Sequence, residues 1–339
     1  MSSAPSPADL AADATWLAQA MDPAGGNVRF VRMAAADYRS ASFLDDRLFQ
    51  EPREYYVVPW QAAVGALAGD ARSDARWIFH IGHVGSTLIS RLIGELPGVL
   101  SVREPRILRD LAGATMAVDP YLPGLRQLLS RTFAPHDVAV VKATSFTSEL
   151  AAKLIPPGGR ALFVYARPRS YLGASLAGEN TMREVAALSS ARHDRMHGRV
   201  SLKGMVDRPA YQVAAAWACE MTALEQAAEA LPEGTVQWLD FDTFLADVTD
   251  GLSAAGAFLE IAAPANKVAA IAGGPLLGRY SKALEHDYSP QLRRDLIASA
   301  SASHAVDIEG ALAMLEASAQ DSPLLARALG RSAGGAQNV

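Results

Sequence analysis

One segment, which begins at Arg76, constrains the fold of this chain more than any other. Its apolar run Trp77–Ile81 leads into two closely spaced glycines, Gly82 and Gly85. The apolar residues that follow, up to Ile93, recur at the spacing of one helical face. The order predicts a buried strand, a tight glycine loop and a helix. Glycines let the backbone turn sharply and leave its N–H groups uncovered, so the segment predicts a phosphate-binding loop.

The loop is unusual in its charge. Ser86 and Thr87 open the predicted helix, where free N–H groups and the helix dipole attract an anion. No Lys or Arg lies within the loop, and the residue that would place a cation nearest to the anion is His83.

Short apolar runs recur after this segment, separated by helical patterns. Such runs are typical of strands buried on both faces of a parallel sheet. They are Val99–Val102, Val138–Val141, Ala161–Tyr165 and Val236–Leu239. Two earlier runs, Phe30–Met33 and Tyr55–Val58, are further candidate strands. The pattern predicts an α/β protein, a three-layer α/β/α fold with a central parallel sheet and its site at the carboxyl ends of the strands.

We expect one α/β domain over residues 9–329, with an N-terminal extension over residues 9–75. The small, polar ends, residues 1–8 and 330–339, are predicted to be disordered. Residues 181–209 are rich in Arg and His, which fits either a solvated helix and loop or a basic lid over the site.

Composition limits the classes of function. The 339 residues are 50% hydrophobic, with a net charge of -5 and a pI near 5.8. These values favour a large core and argue against broad binding to nucleic acid or anionic membranes. Cys219 is the only cysteine, and neither a signal peptide nor a run of 18 apolar residues occurs. We therefore expect a cytoplasmic protein without a membrane span, with Cys219 packed as a small apolar residue.

Polar residues follow each predicted strand on its carboxyl side. Glu104 follows the run Val99–Val102, Lys142 follows Val138–Val141, and Arg167 follows Ala161–Tyr165. Because the carboxyl ends of parallel strands meet at one edge of a sheet, we expect these residues to line one cleft with Ser86 and Thr87.

With its glycine loop and polar strand ends, the chain resembles the sulfotransferases that use 3′-phosphoadenosine-5′-phosphosulfate (PAPS). That family has a P-loop NTPase-like fold. Their loop of basic residue, Ser, Gly and two hydroxyl residues is similar to His83–Thr87 here. Their strand-terminal Arg, followed eight residues later by Ser, is similar to Arg167 and Ser175. Val236–Phe244 resembles their last core strand with the helix after it.

The resemblance implies transfer of a sulfuryl group from PAPS, as co-substrate, to a hydroxyl or amine of a small-molecule, carbohydrate or peptide acceptor, without a metal. A planar guanidinium suits the 3′-phosphate. The residues implied to bind PAPS are His83, Gly85, Ser86, Thr87, Arg167 and Ser175. The residues implied in catalysis are Glu104 as base, with His83 and Lys142 as cations. Arg279 and Lys282 are weaker candidates for the 3′-phosphate.

The loop departs from the family pattern at two positions. His83 stands where the family has Lys or Arg, and Val84 replaces a hydroxyl residue. Lys142 is the candidate to supply the missing charge. Arg103 and Arg106 flank Glu104 in sequence and are expected to keep it ionised.

Two other functions stay open from the sequence. A sulfotransferase-like protein that binds the nucleotide without catalysis fits the His83 and Val84 changes. A P-loop kinase or NTPase fits less well, because a Walker loop has the form G-x-x-x-x-G-K-[ST] and this loop has shorter spacing and no Lys. The acceptor and the oligomeric state are not encoded in any motif of the sequence.

Overall fold

The computed structural model describes residues 4–278 and 289–334. The chain begins with a three-stranded antiparallel sheet of β1 (Trp16–Asp22), β2 (Asn27–Arg32) and β3 (Tyr55–Pro59), with β2 in the middle. The sequence analysis predicted β2 and β3 but missed β1. Six of the seven β1 residues are buried, so this strand lacks the alternation that marks a half-exposed strand.

A five-stranded parallel sheet forms the centre of the molecule, in the order β5-β6-β4-β7-β8. The residues of each predicted strand agree with the observed bounds to within one residue. The strands are β4 (Arg76–His80), β5 (Val99–Arg103), β6 (Val138–Lys142), β7 (Ala161–Tyr165) and β8 (Val236–Asp240).

Helices fill the connections between these strands. The α-helices of the described residues are α1 (Pro7–Ala12), α2 (Ala35–Ser40), α3 (Trp60–Gly65), α4 (Ser86–Gly94), α5 (Arg106–Ala112), α6 (Leu122–Leu129), α7 (Ala151–Leu154), α8 (Pro168–Leu176), α9 (Glu179–Ala187), α10 (Ser189–Met196), α11 (Pro209–Glu229), α12 (Phe241–Ala246), α13 (Val248–Phe258), α14 (Ala265–Ala272), α15 (Pro290–Ser303), α16 (Ala305–Ala319) and α17 (Pro323–Gly334). Short 3-10 turns cover Asp46–Gln50, Asp119–Tyr121, Ser145–Leu150 and Pro275–Gly278. None of the helices in the described ranges is long and apolar enough to cross a membrane.

Helices cover both faces of the parallel sheet. The connection from β4 to β5 runs toward one edge of the sheet, and that from β7 to β8 runs toward the other. Because crossovers between parallel strands are right-handed, the helices of these two connections lie on opposite faces. Accordingly α4 packs against α13, whereas α8, α9 and α11 pack together. The predicted three-layer fold is confirmed, and its strand order reverses beside β4, where open α/β sheets bind ligands.

Two buried arginines fasten the N-terminal sheet region to this core. Arg103 Nε donates to the Ala41 carbonyl at 3.0 Å, and Arg91 donates to the Ser40 carbonyl at 3.0 Å. These carbonyls lie at the C-terminal end of α2, where helix carbonyls lack partners and the dipole favours cations. Burial, together with the positive charge of Arg91, lowers the pKa of Arg103 to about 9. The Leu44 N–H also donates to the Arg103 carbonyl, at 2.7 Å, so the chain between α2 and the next turn is held in place.

The ordered chain extends beyond the predicted domain bounds. A helix begins at Pro7, where the Ser6 and Asp9 side chains cap it reciprocally, and α17 continues to Gly334. Both helices therefore extend past the bounds predicted for the domain. Cys219 is fully buried, as predicted.

Candidate functional site

The loop between β4 and α4 is held by backbone conformations that few residues adopt. Gly82 and Gly85 have φ of 79° and 64°, and His83 has φ of 53°. Only two other non-glycine residues in the described ranges have positive φ, and one of them is Glu104, at 51°. Such strained residues cluster at functional sites.

Gly85 is required for a second reason. A Cβ atom at this position would collide with the aromatic ring of Phe241, the first residue of α12. The ring therefore packs directly on the backbone of the loop, and β8 contributes to the site through the residue that follows it.

The beginning of α4 offers an unsatisfied polar group. Thr87 is 2% exposed, and its Oγ1 has no hydrogen-bond partner among the described residues. A buried hydroxyl without a partner costs free energy, which a bound oxygen anion would recover. Together with the N–H groups of the helix N-terminus, this hydroxyl provides donors of the kind that an anion accepts.

A cavity of about 920 Å³ opens beside the loop. It lies at the carboxyl ends of β4, β5, β6 and β8, as the strand-end argument predicts for a parallel sheet. Among the predicted site residues, it is lined by His83, Gly85, Ser86, Thr87, Glu104 and Lys142.

Three ionisable side chains meet at the floor of this cavity. Lys142 is 1% exposed and forms a close ion pair with Glu104, and the Glu104 N–H donates to the Lys142 carbonyl at 2.7 Å. The Nε2 atom of His80 lies 3.7 Å from Oε1 of Glu104. Burial would raise the pKa of Glu104, but the Lys142 ammonium and His80 outweigh it and hold that pKa well below its ordinary value.

The arginines beside Glu104 in sequence do not perform the predicted task. Arg103 points to the carbonyls of the N-terminal region, and Arg106 pairs with Asp46 and Asp110. Glu104 follows the end of β5 in a left-handed conformation, which turns it away from Arg103. Glu104 is held ionised by Lys142, from the neighbouring strand, instead.

His83 is engaged by the helix that faces the loop. Its Nδ1 lies 3.3 Å from Thr181 Oγ1, and its Nε2 lies 3.3 Å from a carboxylate oxygen of Glu184, both on α9. Thr181 and Glu184 also line the cavity. The first part of the predicted lid segment is thus the wall nearest to the loop.

The basic residues of that segment serve a different purpose. Arg195 makes bidentate contacts with Glu149 and Glu220, at 2.7 to 2.9 Å. Arg199 donates to Glu149 at 3.2 Å, and Arg192 Nε lies 3.6 Å from Glu220. These arginines anchor the segment to the core and do not line the cavity, so neither the basic lid nor the solvated helix describes them.

The structure does not bring the predicted 3′-phosphate residues into the described cavity. Arg167 pairs with Asp240 at 2.9 Å and is 37% exposed. Ser175 is fully buried, whereas its neighbours Ala174 and Ala177 line the cavity. Arg279 and Lys282 lie outside the described residues.

Sequence reasoning missed several residues of the cavity, chiefly His80, Phe43, Phe241 and Arg293. His80 is the last residue of β4, so the strand-end rule applied one residue earlier would have found it. Arg293, on α15, pairs with Asp242 at 2.6 Å and lies 5.0 Å from the ring centre of Phe241. No local pattern marks Arg293 or Phe43, because only tertiary packing brings them to the sheet.

No protein-family model and no curated protein matches the chain. Solved structures that resemble it include the mouse sulfotransferase SULT7A1 complexed with PAP, at 11% identity and a TM-score of 0.40 over 76% of this chain and 89% of that one. Sulfotransferase STF9 from Mycobacterium avium has 11% identity and a TM-score of 0.41 over 69% and 78% of the two chains. A sulfotransferase from Alicyclobacillus acidocaldarius has 12% identity and a TM-score of 0.34 over 70% and 96%.

These structures, and two sulfotransferase domains from a curacin pathway and a Synechococcus olefin synthase, belong to the family that the sequence motifs resemble. The likeness is distant. The chemistry of the cavity therefore has to follow from this chain's own residues.

Proposed function

We propose that this protein transfers a sulfuryl group from PAPS to a hydroxyl or amine of an acceptor. The observation that carries the proposal is the buried, unpartnered Thr87 hydroxyl at the start of α4, which faces the same cavity as the Lys142–Glu104 pair. One end of that cavity suits an oxygen anion, and the other offers a cation and a carboxylate, the two groups that sulfuryl transfer uses.

The loop binds the phosphosulfate in this proposal. The N–H groups at the N-terminus of α4 and the hydroxyls of Ser86 and Thr87 donate to its oxygens. Gly85 keeps the backbone accessible, because it carries no Cβ. The Phe241 ring, against Gly85, offers a flat apolar surface to the nucleoside.

The floor of the cavity performs the chemistry. When bound, PAPS supplies the sulfuryl group, and its S–O bond to the 5′-phosphate breaks as the acceptor oxygen or nitrogen bonds to sulfur. Lys142 stabilises the negative charge that develops on the leaving phosphate. Glu104 accepts the acceptor's proton. Because Lys142 then shares its charge with the phosphate, its hold on Glu104 weakens and the carboxylate becomes more basic.

We expect a weaker contribution from His83 than from the Lys or Arg of the family, because an imidazole holds a positive charge less readily than those side chains. Its contacts with Thr181 and Glu184 place it between the loop and α9. Arg167, Ser175, Arg279 and Lys282 remain the predicted ligands of the 3′-phosphate, with the pairing of Arg167 to Asp240 as the competing interaction.

Calorimetry tests the nucleotide, and a transfer assay tests the reaction. We expect 3′-phosphoadenosine-5′-phosphate (PAP) to release heat on binding and ATP with magnesium to release none. Sulfur-35-labelled PAPS, offered with a panel of alcohols, phenols and amines, should label at least one class of acceptor. Binding of ATP without binding of PAP would refute the proposal in favour of a kinase or NTPase.

A non-catalytic nucleotide-binding protein is the second candidate, and two observations favour it. Val84 is fully buried and has no hydroxyl to donate to the phosphosulfate. His83 is engaged by Glu184. In that case PAP binds but no acceptor is labelled. The variant His83→Lys separates the two functions, because it should raise turnover of PAPS if the loop is a weak catalyst and should leave it at zero if the site only binds.

A further inference from the structure

His80 occupies a position between the loop and the ion pair at the cavity floor. Its side chain is 5% exposed. Its Nδ1 accepts the Gly82 N–H at 3.0 Å, and its Nε2 lies 3.7 Å from Glu104 Oε1. One imidazole therefore contacts both the glycine loop and the carboxylate.

The bond to Gly82 determines the tautomer. A backbone N–H can only donate, so Nδ1 must offer its lone pair, and the ring proton of the neutral imidazole lies on Nε2. That proton is directed toward Glu104. The protonated Nε2 thus faces the carboxylate at 3.7 Å, and the ring has no free basic nitrogen with which to take a proton from an acceptor.

We propose that His80 is a positioning residue, which fixes the Glu104 carboxylate and couples it to the glycine loop. The inference rests on the proposed function for its role in turnover, but its effect on Glu104 is a property of the free protein. Residues that support a reactive group in this way orient it without touching the substrate, and their loss commonly costs about 10- to 100-fold in activity.

The backbone explains why such a support is needed. Glu104 has a left-handed backbone, and the adjacent Pro105 restricts the chain after it. The loop residue Gly82 is also left-handed. His80 joins these two strained segments, so a displacement of the loop by a bound anion is transmitted to the carboxylate.

Other charged side chains lie around the Glu104 carboxylate, and they come from several elements. Lys142, from β6, is its ion-pair partner. Arg106 and Arg109 of α5, and Asp45 and Arg47 of the N-terminal region, line the same cavity. Removal of His80 leaves all of these in place, so a change in the titration of Glu104 would report the loss of the imidazole.

Two variants test the proposal. His80→Leu keeps the volume and removes both contacts, whereas His80→Gln keeps an acceptor for Gly82 and a donor for Glu104. Carbon-13 NMR of the Glu104 carboxyl in the free protein should show titration beginning at higher pH in His80→Leu than in the wild type. The reason is that His80 stabilises the ionised form, so its loss raises the pKa.

Kinetics provide the second measurement. In His80→Leu we expect kcat to fall about 10- to 100-fold, PAP affinity to change less than about threefold, and the acid limb of the kcat/KM profile to move to higher pH. His80→Gln should restore most of the rate. Thermal unfolding of both variants checks that they are folded.

The outcomes separate the two proposals. A wild-type protein that binds no PAP refutes the proposed function, while the NMR titration still tests His80. An unchanged Glu104 titration in His80→Leu refutes the role of His80, whatever the activity. A loss of PAP affinity equal to the loss of kcat would also refute it, because His80 would then support only the shape of the loop.

Discussion

Two clusters of opposite charges lie inside this protein, and they differ in what surrounds them. In the core cluster, Arg195 is held by both oxygens of Glu149 and Glu220, among helices packed on every side. In the cavity cluster, Lys142 and Glu104 pair with each other, with His80 alongside, and one side of the cluster borders the cavity.

The contrast shows that a high density of charged residues in a sequence does not mark a functional site. Residues 181–209 are rich in basic side chains, yet three of their arginines pair with the carboxylates of Glu149 and Glu220. A charge becomes available for chemistry where a strand ends at a cavity. Variants in the two clusters should therefore respond differently.

The largest effect should come from breaking the core cluster. Arg195→Met leaves the fully buried Glu220 and the partly exposed Glu149 without their main partner, which should lower the free energy of unfolding by about 3–5 kcal/mol. Catalysis per folded molecule should stay within about twofold, since Arg195 does not line the cavity. Urea denaturation measures the first quantity, and kcat/KM the second.

Arg183→Met is the matched control, because Arg183 belongs to the same segment but forms an exposed pair with Glu179. That change should cost under about 1 kcal/mol. Burial raises the pKa of Cys219 to about 12. Its thiol should therefore react with disulfide reagents only when the protein unfolds, so the rate of this reaction is a second measure of unfolding in both variants. Equal losses in the two variants would contradict the distinction between buried and exposed pairs.

Breaking the cavity cluster should have the opposite signature. Lys142→Met should reduce kcat by about 10²- to 10³-fold, or about 2.7–4 kcal/mol of transition-state stabilisation. Removal of Lys142 leaves Glu104 without its ion-pair partner, but the Glu104 side chain is 17% exposed beside the cavity, so the loss of unfolding free energy should be smaller than for Arg195→Met. Lys142→Arg serves as control and should retain part of the rate. A stability loss like that of Arg195→Met, with kcat unchanged, would place Lys142 among the structural charges.

Gly85→Ala should weaken PAP binding by about 10-fold, because a non-glycine residue in the left-handed region costs roughly 1–2 kcal/mol and the Cβ meets the Phe241 ring. The control is Gly204→Ala, since Gly204 has φ of 70° and open space around it. It carries the backbone cost without the collision. If Gly85→Ala weakens PAP binding less in a Phe241→Ala background than in the wild type, the ring contact is the cause, and an equal loss in both backgrounds would argue against it.

The smallest effect should be the most specific. Thr87→Val replaces the buried, unpartnered hydroxyl by a methyl of similar shape. PAP affinity should fall about 5- to 10-fold, a loss of about 1 kcal/mol, while the free energy of unfolding stays constant or rises because no hydrogen bond is lost.

Ser175→Ala is the comparison for Thr87, because its hydroxyl is also buried and lacks a partner among the described residues. If PAP affinity is unchanged by Ser175→Ala, the predicted role of Ser175 at the 3′-phosphate is refuted. If affinity falls in both variants, the bound nucleotide also contacts Ser175 on α8, which does not line the cavity of the free protein. Calorimetry with PAP measures both.

Much of this arrangement could be predicted from the sequence, because parallel strands have simple rules. Nearly continuous apolar runs identified all five strands of the central sheet, and the strand ends indicated Glu104 and Lys142. What the rules could not supply were pairings between distant residues. Whether Arg167 is free depends on Asp240, 73 positions away, and whether Arg195 faces solvent depends on Glu220, in another helix.

The end of β5 explains one further error. Arg103 and Glu104 are adjacent in sequence, but Arg103 is the last strand residue and contacts a helix end, whereas Glu104 follows it in a left-handed conformation and pairs with Lys142. Proximity in sequence is a poor guide to contact wherever the chain is extended.

The two arginines that fasten the N-terminal region also make part of that region a convenient place for engineering. Phe43 and Arg47 face the cavity. The residues before them are fixed by Arg91 and Arg103, and Leu44 is bonded to the backbone of β5. Variation confined to positions 43 and 47 can therefore remodel one wall of the cavity on a rigid frame. Truncation of the same region would instead expose two buried guanidinium groups and remove that wall together with the N-terminal sheet.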